Sequence, residues 1–466
     1  MAITPETANP NTNEAGSEEE EGGLSDATVQ AIEDALDEGR RGDVLDYVDV
    51  LHHADAADLI ERLPGDKRDT LIDILSDRFD PNVMAELSES VLEGVVEQLG
   101  TDQVARVVAG MESDDAVLVI DQLDEEDQKE VLEALPEMDR TLIEEGLSFP
   151  EDSAGRLMQR EVVAVPAHWN VGQAIDYMRD AANLPNDFFD LFLVDPAHRP
   201  IGAIPLSRVM RTQRQVSLNT LMVQEMKLIP ADMDQEEVAF LFRQRDLISA
   251  PVVDDSGRLV GVITVDDVVD VIHAEHEEDI LRLGGVGEDD IFSNIFYTAR
   301  TRFWWLLVNL FTAILASVVI GFFDATIEQM VALAVLMPIV ASMGGNAGTQ
   351  SLTVAVRAIA MKELTTTNAL RVIGKEVLVG VSNGILFAVL IGLVAWVWFD
   401  NVGLGVVIGL AMVFNLIIAG LAGSAIPVML ERFHVDPAVS SAVFLTTVTD
   451  VVGFLAFLGL AAAVLL

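Results

Sequence analysis

Five long apolar stretches fill the C-terminal part of the chain, whereas the rest alternates short apolar runs with charged residues. A helix needs about 20 predominantly apolar residues to cross the hydrocarbon core of a bilayer. Each stretch reaches that length, so the pattern predicts five membrane-spanning helices. They cover residues 303–323, 327–359, 369–399, 402–430 and 438–466.

Basic residues cluster at alternate connections between these stretches, and the opposite connections carry only acidic charges. Because lysine and arginine are retained on the cytoplasmic side, this asymmetry predicts cytoplasmic N-terminal domains and a C-terminus outside. An odd number of spans agrees with that orientation. We therefore expect a multi-pass protein of the cell membrane. The basic residues are Arg300, Arg302, Arg357, Lys362, Arg371, Lys375 and Arg432.

Two patterns precede the first repeat in the soluble half. Residues 1–23 are polar and acidic and lack an apolar signal segment, so their composition predicts a disordered tail. Residues 24–149 contain short leucine-rich helical patterns, each ended by Pro, Gly or Asp. This spacing predicts a small α-helical superhelix rather than one long helix.

One strand–helix–strand–turn–strand pattern then occurs twice. Its predicted elements lie at 162–166, 171–179, 191–194 and 201–206, and again at 228–230, 235–245, 250–254 and 259–267. The repeat predicts a tandem α/β pair, and it resembles a pair of CBS domains at 150–215 and 216–265. Such pairs often bind adenine nucleotides, ATP among them, in the cleft between the copies. A purely structural role in dimerisation is equally open.

Charge separates the two halves. The chain has a formal net charge of -47, and 21 basic and 67 acidic residues precede Phe296, which leaves the C-terminal part nearly neutral. So strong an acidic excess argues against nucleic acid as a partner. It is typical of a protein adapted to a salt-rich, halophilic cytoplasm, or of a surface that binds cations. Cysteine is absent, which excludes disulfides and thiolate metal sites.

Asp450 is the only acid in the last apolar stretch and has no basic residue beside it. A charged side chain at the bilayer centre costs about 2.5–3.5 kcal/mol on the insertion scale. Such residues usually face a pore or a partner helix rather than lipid. Asp450 therefore indicates a cation site within the membrane.

The second apolar stretch contains Pro338 and then the segment 343–350, Met-Gly-Gly-Asn-Ala-Gly-Thr-Gln. A helix kink with small residues for close packing would explain the proline and the glycines. Asn346 and Gln350 lie one helical turn apart and favour a pore lining, which would include Gly344 and Gly345.

A dense run of acids follows the second α/β copy, at residues 266–279. Like charges three or four residues apart on a helix repel by about 0.2–0.5 kcal/mol per pair. A connecting helix at 266–299 is therefore expected to gather cations, although a solvated acidic face would also explain the composition.

This arrangement resembles the MgtE family of magnesium channels. Three segments carry the resemblance: 148–158 at the entry to the first CBS domain, the Gly-Gly-Asn-Ala-Gly-Thr-Gln segment 344–350, and Val435–Ala438 followed by Thr449–Gly453. The architecture it implies is multidomain. An α-helical superhelical N-domain (24–149) precedes an α/β tandem CBS pair (150–265), a connecting or plug helix (266–299) and an all-α five-span transmembrane domain (300–466).

The resemblance also implies a mechanism. A homodimer would enclose one pore, with Asp450 as the ion-selecting residue. Mg²⁺ dehydrates reluctantly and is usually held by one or two carboxylates plus waters, which agrees with a single acid per chain. Intracellular Mg²⁺ would close the pore by bridging acids of the soluble domains. The matching positions are Asp114, Asp234, Glu236, Asp246, Asp267, Asp270, Glu275, Glu278 and Asp279; Leu118 stands where relatives tend to have another acid.

Two alternatives remain open on the sequence. The protein could transport divalent cations more broadly, including Co²⁺, Mn²⁺ and Ca²⁺, or act as a CBS-regulated membrane sensor that transports nothing. A CBS-regulated anion channel would need more spans and a basic or amide-rich pore. An enzyme is not expected, because no phosphate loop, nucleophile arrangement or His/Asp/Glu metal motif occurs.

Overall fold

A computed structural model describes residues 24–181, 184–185, 187–286, 295–365, 367–433 and 435–465. The predicted tail at 1–23 lies outside the described residues. The chain divides into two compact units, Met1–Val269 and Asp270–Leu466, and the boundary falls within one helix. Each unit is described separately below.

The first part of the N-terminal unit consists of ten short helices around one apolar core. Side chains that point inward along each helix, such as Leu59, Ile60 and Leu92, are fully buried. Polar side chains cap the starts of several helices; for example, the Asp124 carboxylate accepts hydrogen bonds from the backbone N–H groups of Glu126 and Asp127 at the start of α9. The helices are α1 Asp26–Asp37, α2 Arg41–Val48, α3 His53–Arg62, α4 Gly65–Leu75, α5 Pro81–Ala85, α6 Glu89–Leu99, α7 Thr101–Val108, α8 Ser113–Asp121, α9 Glu125–Ala134 and α10 Glu137–Leu147.

Two small three-stranded sheets follow, and they have the same topology. In each, the first strand is parallel and the third antiparallel to the central one. The same turn joins the second and third strands of both copies, because Asp195 and Asp254 each accept backbone N–H bonds from the residues two and four positions later. The elements are α11 Ala154–Leu157, β1 Ala164–Pro166, α12 Val171–Asp180, β2 Asp190–Val194, β3 Pro200–Pro205, α13 Leu206–Met210, β4 Ile229–Pro230, α14 Gln235–Arg245, β5 Ser249–Val253, β6 Leu259–Thr264 and α15 Val265–Gly284.

The connecting helix is shorter than predicted from the sequence. α15 ends at Gly284, and Gly285 takes the left-handed conformation at φ 70° that commonly ends a helix. Residues 295–299, predicted to belong to this helix, form the start of the next one. Residues 287–294 lie outside the described part of the chain.

In its described residues, the C-terminal unit contains five helices long and apolar enough to cross a membrane, as the sequence predicts. α20 is central: it is the most buried of these five helices and α16 the least, and it packs against α18, α19 and α21. The second span begins at Ala332 rather than 327, because residues 324–329 form a separate short helix. The helices are α16 Ile295–Gly321, α17 Asp324–Gln329, α18 Ala332–Ala360, α19 Ala369–Phe399, α20 Val402–Arg432 and α21 Pro437–Val464.

Small residues let these helices approach closely. A Cβ added at Gly420 of α20 would lie 2.6 Å from the backbone oxygen of Glu376 on α19. α18 stays helical through Pro338 and through the glycines of 343–350. Two of these glycines, Gly344 and Gly348, serve close packing, because an added Cβ would overlap Asn415 and Leu445, respectively.

Candidate ion path and regulatory metal sites

Asp450 lies thirteen residues after the first residue of α21, about 20 Å along the helix axis. Its side chain is half-buried. Among the described residues, no side chain donates a hydrogen bond to its carboxylate or forms an ion pair with it. Within the described residues the negative charge is therefore not balanced, which is the condition a cation site requires.

α18 has one buried face and one polar face. Its buried residues, among them Leu336, Val340 and Leu352, repeat every three or four positions and pack into the unit. The opposite face exposes hydroxyl and amide groups at the same spacing. Sequence reasoning identified only two of its residues, although the spacing of the hydroxyl residues could have revealed the rest: Ser342, Asn346, Thr349, Gln350 and Thr353.

The two predicted pore glycines lie on different faces of α18. A Cβ added at Gly345 would meet nothing within 4 Å, so this position is open. Gly344 is buried, and a Cβ there would overlap the amide of Asn415 on α20. Gly344 could contribute to an ion path only through its backbone, and its pore-lining role stays a prediction.

The acids of α15 that fall in the C-terminal unit differ in their surroundings. Glu278 pairs with Arg282, whose guanidinium also donates to the Asp436 carboxylate at 2.7 Å. Burial and the nearby charges of Asp436 and Glu275 raise the pKa of Asp279. Arginine thus already neutralises one predicted gate ligand. Asp270 is exposed on the same helix.

The predicted ligands of the second CBS copy have evident structural roles. Asp234 caps α14, where its side chain accepts from the backbone N–H of Glu236 at 2.9 Å. Asp246 ends the same helix in the left-handed conformation, at φ 51°. Glu236, in the first turn, stands where a negative charge is favoured by the helix dipole.

Asp114 and Asp267 lie in a group of carboxylates that joins α8 to the start of α15. Burial, followed by the charges of Asp267 and Asp115, raises the pKa of Asp114 well above its usual range. Burial also raises the pKa of Asp267 to about 6, against a hydrogen bond of 2.6 Å from the Thr264 hydroxyl. The two predicted ligands therefore repel each other.

Sequence reasoning missed three further acids of this group: Glu112, Asp115 and Glu161. The pKa of Glu112 rises to about 7, first through burial and then through neighbouring carboxylates. The Ser113 hydroxyl donates to Glu161 at 2.7 Å and accepts from the Arg160 backbone N–H at 2.8 Å, so this contact fixes α8 against the first CBS copy. Glu112 and Asp115 lie within two residues of Asp114, and this closeness in the sequence could have identified them.

The donor set of this carboxylate group fits a hard divalent cation, since Mg²⁺ prefers carboxylate oxygens and water. Within the described residues, however, no three His, Asp or Glu side chains converge closely enough to form a ready-made metal site. Binding would require side-chain movement. Leu118, one turn after Asp114, is 49% exposed and adds no ligand.

One pocket between the CBS copies, where nucleotide binding is predicted, is acidic. It is lined by both CBS copies, and the Ser249 hydroxyl donates to Asp190 within it at 2.7 Å. Burial raises the pKa of Asp190. Among the described lining residues, Glu161, Asp187 and Asp190 are acidic and none is basic. This composition does not favour a triphosphate, and ATP binding stays a prediction.

Comparisons with known proteins identify the relatives of this chain. Protein-family models match residues 51–152 (MgtE intracellular N domain), 154–214 and 218–274 (CBS domain) and 337–460 (MgtE, divalent cation transporter). The chain is 33% identical over 318 residues to the magnesium transporter MgtE of Bacillus subtilis, covering 68% of this chain and 70% of that protein. It is 35% identical over 325 residues to the magnesium transporter MgtE of Thermus thermophilus, covering 68% of this chain and 71% of that protein.

A solved structure is also similar to about half of the chain. The crystal structure of the cytosolic domain of the Mg²⁺ channel MgtE in complex with ATP is 27% identical and covers 52% of this chain and 99% of that chain, with a TM-score of 0.49.

Proposed function

Since the chain belongs to the MgtE family of magnesium transporters, we propose that it carries Mg²⁺ across the cell membrane into the cytoplasm through a path formed by α18 and α21. The observation that carries this proposal is the unbalanced carboxylate of Asp450 on α21. Membership in a transporter family also agrees with the expectation that the chain is not an enzyme.

Asp450 is assigned the selecting role. Mg²⁺ binds with most of its water shell retained and through one or two carboxylates. Two Asp450 carboxylates, one from each chain of a homodimer, would supply such a site. The polar face of α18, which carries Asn346 and Gln350, is exposed in the single chain. A second copy would cover it, and this supports the homodimer.

The proposed regulation is closure by intracellular Mg²⁺. The acids assigned to it lie in the carboxylate group of Asp114 and Asp267, at Asp234, Glu236 and Asp246, and along α15 at Asp270, Glu275, Glu278 and Asp279. The raised pKa values of Asp114 and Asp267 support this role, because a divalent cation would relieve their repulsion. A ligand shifts a conformational equilibrium only through its differential affinity for the two states, so these acids must bind Mg²⁺ better in the closed state.

A broader cation specificity is the second candidate, favoured by the matched family's description as divalent cation transporters. Purified protein in liposomes decides between them. We expect Mg²⁺ influx through the wild type, weak competition by Ca²⁺, and loss of influx in Asp450→Ala and Asp450→Asn. Asp400→Asn, an acid at the exposed end of α19, is the matched control and should transport normally. Influx at the wild-type rate through Asp450→Ala would refute the assignment of the path.

A further inference from the structure

Asn415 on α20 is fully buried, with 0% of its side chain exposed. Its Nδ2 donates to the backbone oxygen of Val340 on α18 at 2.8 Å. Its Oδ1 is also buried and has no hydrogen-bond partner among the described residues. The reverse orientation of the amide would place two acceptors against each other at Val340. The bond to α18 therefore fixes which way the unpaired oxygen points.

The amide of Asn415 lies between α18 and α21. A Cβ added at Gly453 of α21 would lie 3.0 Å from Asn415 Oδ1 and 3.1 Å from Nδ2, and a Cβ added at Gly344 of α18 would overlap Nδ2. The amide thus fills the space between α18 and α21, at positions where each helix has a glycine and no side chain occupies that space. Gly344 lies two residues before Asn346, and Gly453 lies three residues after Asp450.

An unpaired buried amide oxygen is unfavourable for folding, because it loses its hydrogen bond to water and gains none. Such groups are rare in folded proteins and require a specific reason. Packing alone does not supply one, since an apolar side chain of suitable size would avoid the unpaired oxygen. The position of Asn415 between the two helices assigned to the path suggests what that reason is.

We infer that Asn415 is a positioning residue for the ion path: its amide holds α18 and α21 at the separation that places Asn346 and Asp450 along one surface. This inference rests on the proposed function and adds a residue that sets cation discrimination without touching the ion. Hydrated Mg²⁺ and Ca²⁺ differ in size and in how readily they lose water. A change in helix separation should therefore alter transport of the two ions unequally.

The test compares Asn415→Ala and Asn415→Asp with Ser424→Ala in proteoliposomes. Asn415→Asp keeps the shape of the side chain, and Ser424 is an equally buried α20 residue whose hydroxyl bonds only within its own helix, to Gly420 O at 2.6 Å. We expect both Asn415 variants to lower the Mg²⁺ to Ca²⁺ flux ratio about five- to tenfold, the scale of one buried hydrogen bond. Ser424→Ala should keep the wild-type ratio. An unchanged ratio in both Asn415 variants, or equal losses for both ions, would overturn the inference.

A second measurement does not depend on transport. The chain contains no cysteine, so spin labels at Val335→Cys on α18 and Leu455→Cys on α21, both exposed positions, report the separation of the two helices. Labelled protein is diluted with unlabelled protein so that each distance is measured within one chain. We expect Asn415→Ala to shift or broaden the distance distribution and Ser424→Ala to leave it unchanged. An unchanged distribution in Asn415→Ala refutes the positioning role, whereas absence of Mg²⁺ flux in the wild type refutes the proposed function alone.

Discussion

The hydroxyl of Ser351 on α18 donates a hydrogen bond of 2.8 Å to the carboxylate of Glu376 on α19, and both side chains are buried within the membrane unit. Acids within transmembrane helices are rare and usually have a defined partner. Ser351 directly follows Gln350 of the polar α18 face. The bond therefore ties the helix assigned to the ion path to a neighbouring helix. Gly420 of α20 also approaches the backbone of Glu376 closely, so three helices meet near this residue.

Loss of this contact should reduce the stability of the membrane unit, and the size of the reduction should depend on which partner remains. We expect Glu376→Ala to destabilise the membrane unit by about 1–3 kcal/mol, because it leaves the Ser351 hydroxyl unpaired and creates a cavity. Glu376→Gln retains an acceptor oxygen and should lose less. Thermal unfolding of the purified protein measures both.

Ser351→Ala provides the second half of the double-mutant cycle. If the pair acts through its hydrogen bond, the effects of Ser351→Ala and Glu376→Ala are less than additive in the double variant. Strict additivity would mean that the two side chains contribute separately.

The acids of α15 should control gating rather than selectivity. We expect joint replacement of Asp267 and Asp270 by Asn, and of Glu275 and Glu278 by Gln, to weaken inhibition by cytoplasmic Mg²⁺ and to leave the Mg²⁺ to Ca²⁺ flux ratio unchanged. Removal of the carboxylates removes the differential binding by which Mg²⁺ can favour the closed state. Channel activity is measured against cytoplasmic Mg²⁺.

The matched control for these acids removes the same charge from exposed positions of the helical N-domain: Asp69→Asn, Asp102→Asn, Glu93→Gln and Glu133→Gln. It should keep the wild-type inhibition curve. If the α15 variant also kept it, these acids would form only a solvated face. An equal shift in both variants would point to overall charge rather than to specific sites.

Length and periodicity were sufficient to predict the architecture. The five spans, the helical N-domain and the two α/β copies are confirmed by the structure and by the matched families. Both copies were recognisable because the same order of strands, helix and turn occurs twice in the sequence. The structure adds that Asp195 and Asp254 hold the same turn. The separate helix α17 was missed, since no proline or glycine lies between Ile327 and Ala332, where the chain leaves α17 and enters α18.

The site was only partly predictable, because its polar residues differ in their packing rather than in their type. Asp450 was identified from the sequence as an isolated acid. Glu376 and Asn415 are also isolated polar residues in apolar helices, but their roles depend on hydrogen bonds to Ser351 and Val340 on another helix. In the soluble half, surplus surface acids hid Glu112 and Glu161. Burial distinguishes such residues, and burial is set by contacts distant in the sequence.

Asp190 should make stability depend on pH. Burial raises its pKa in the folded state above the value of about 3.9 expected in the unfolded chain. The unfolded state therefore releases this proton first, so the contribution of Asp190 to stability is fully present below about pH 4 and is lost as the pH rises through the folded pKa. We expect Asp190→Asn to be more stable than the wild type near neutral pH and the difference to shrink towards pH 4.

The comparison with Asp190→Asn isolates the contribution of one carboxylate, because all other titrating groups are the same in the two proteins. Ser249→Ala removes the hydrogen bond that opposes the shift and should enlarge the pH dependence. Unfolding is followed by denaturant titration at several pH values. A difference between wild type and Asp190→Asn that does not change with pH would contradict the assignment.

The last prediction concerns salt, because the residues before Phe296 carry a formal charge of about -46. Like charges are screened over about 3 Å at 1 M salt but about 10 Å at 0.1 M. We therefore expect the soluble unit of the full-length protein to lose protection from hydrogen exchange at low monovalent salt. Millimolar Mg²⁺ should restore protection more effectively than Na⁺ at the same ionic strength, because site-specific binding stabilises the folded state by mass action whereas screening acts on all charges alike. The restored protection should be greatest around Asp114 and Asp267, where carboxylates repel in the absence of a cation. Equal restoration by Na⁺ and Mg²⁺, spread evenly over the unit, would assign the acids to adaptation to a salt-rich cytoplasm and would count against a Mg²⁺-sensing gate.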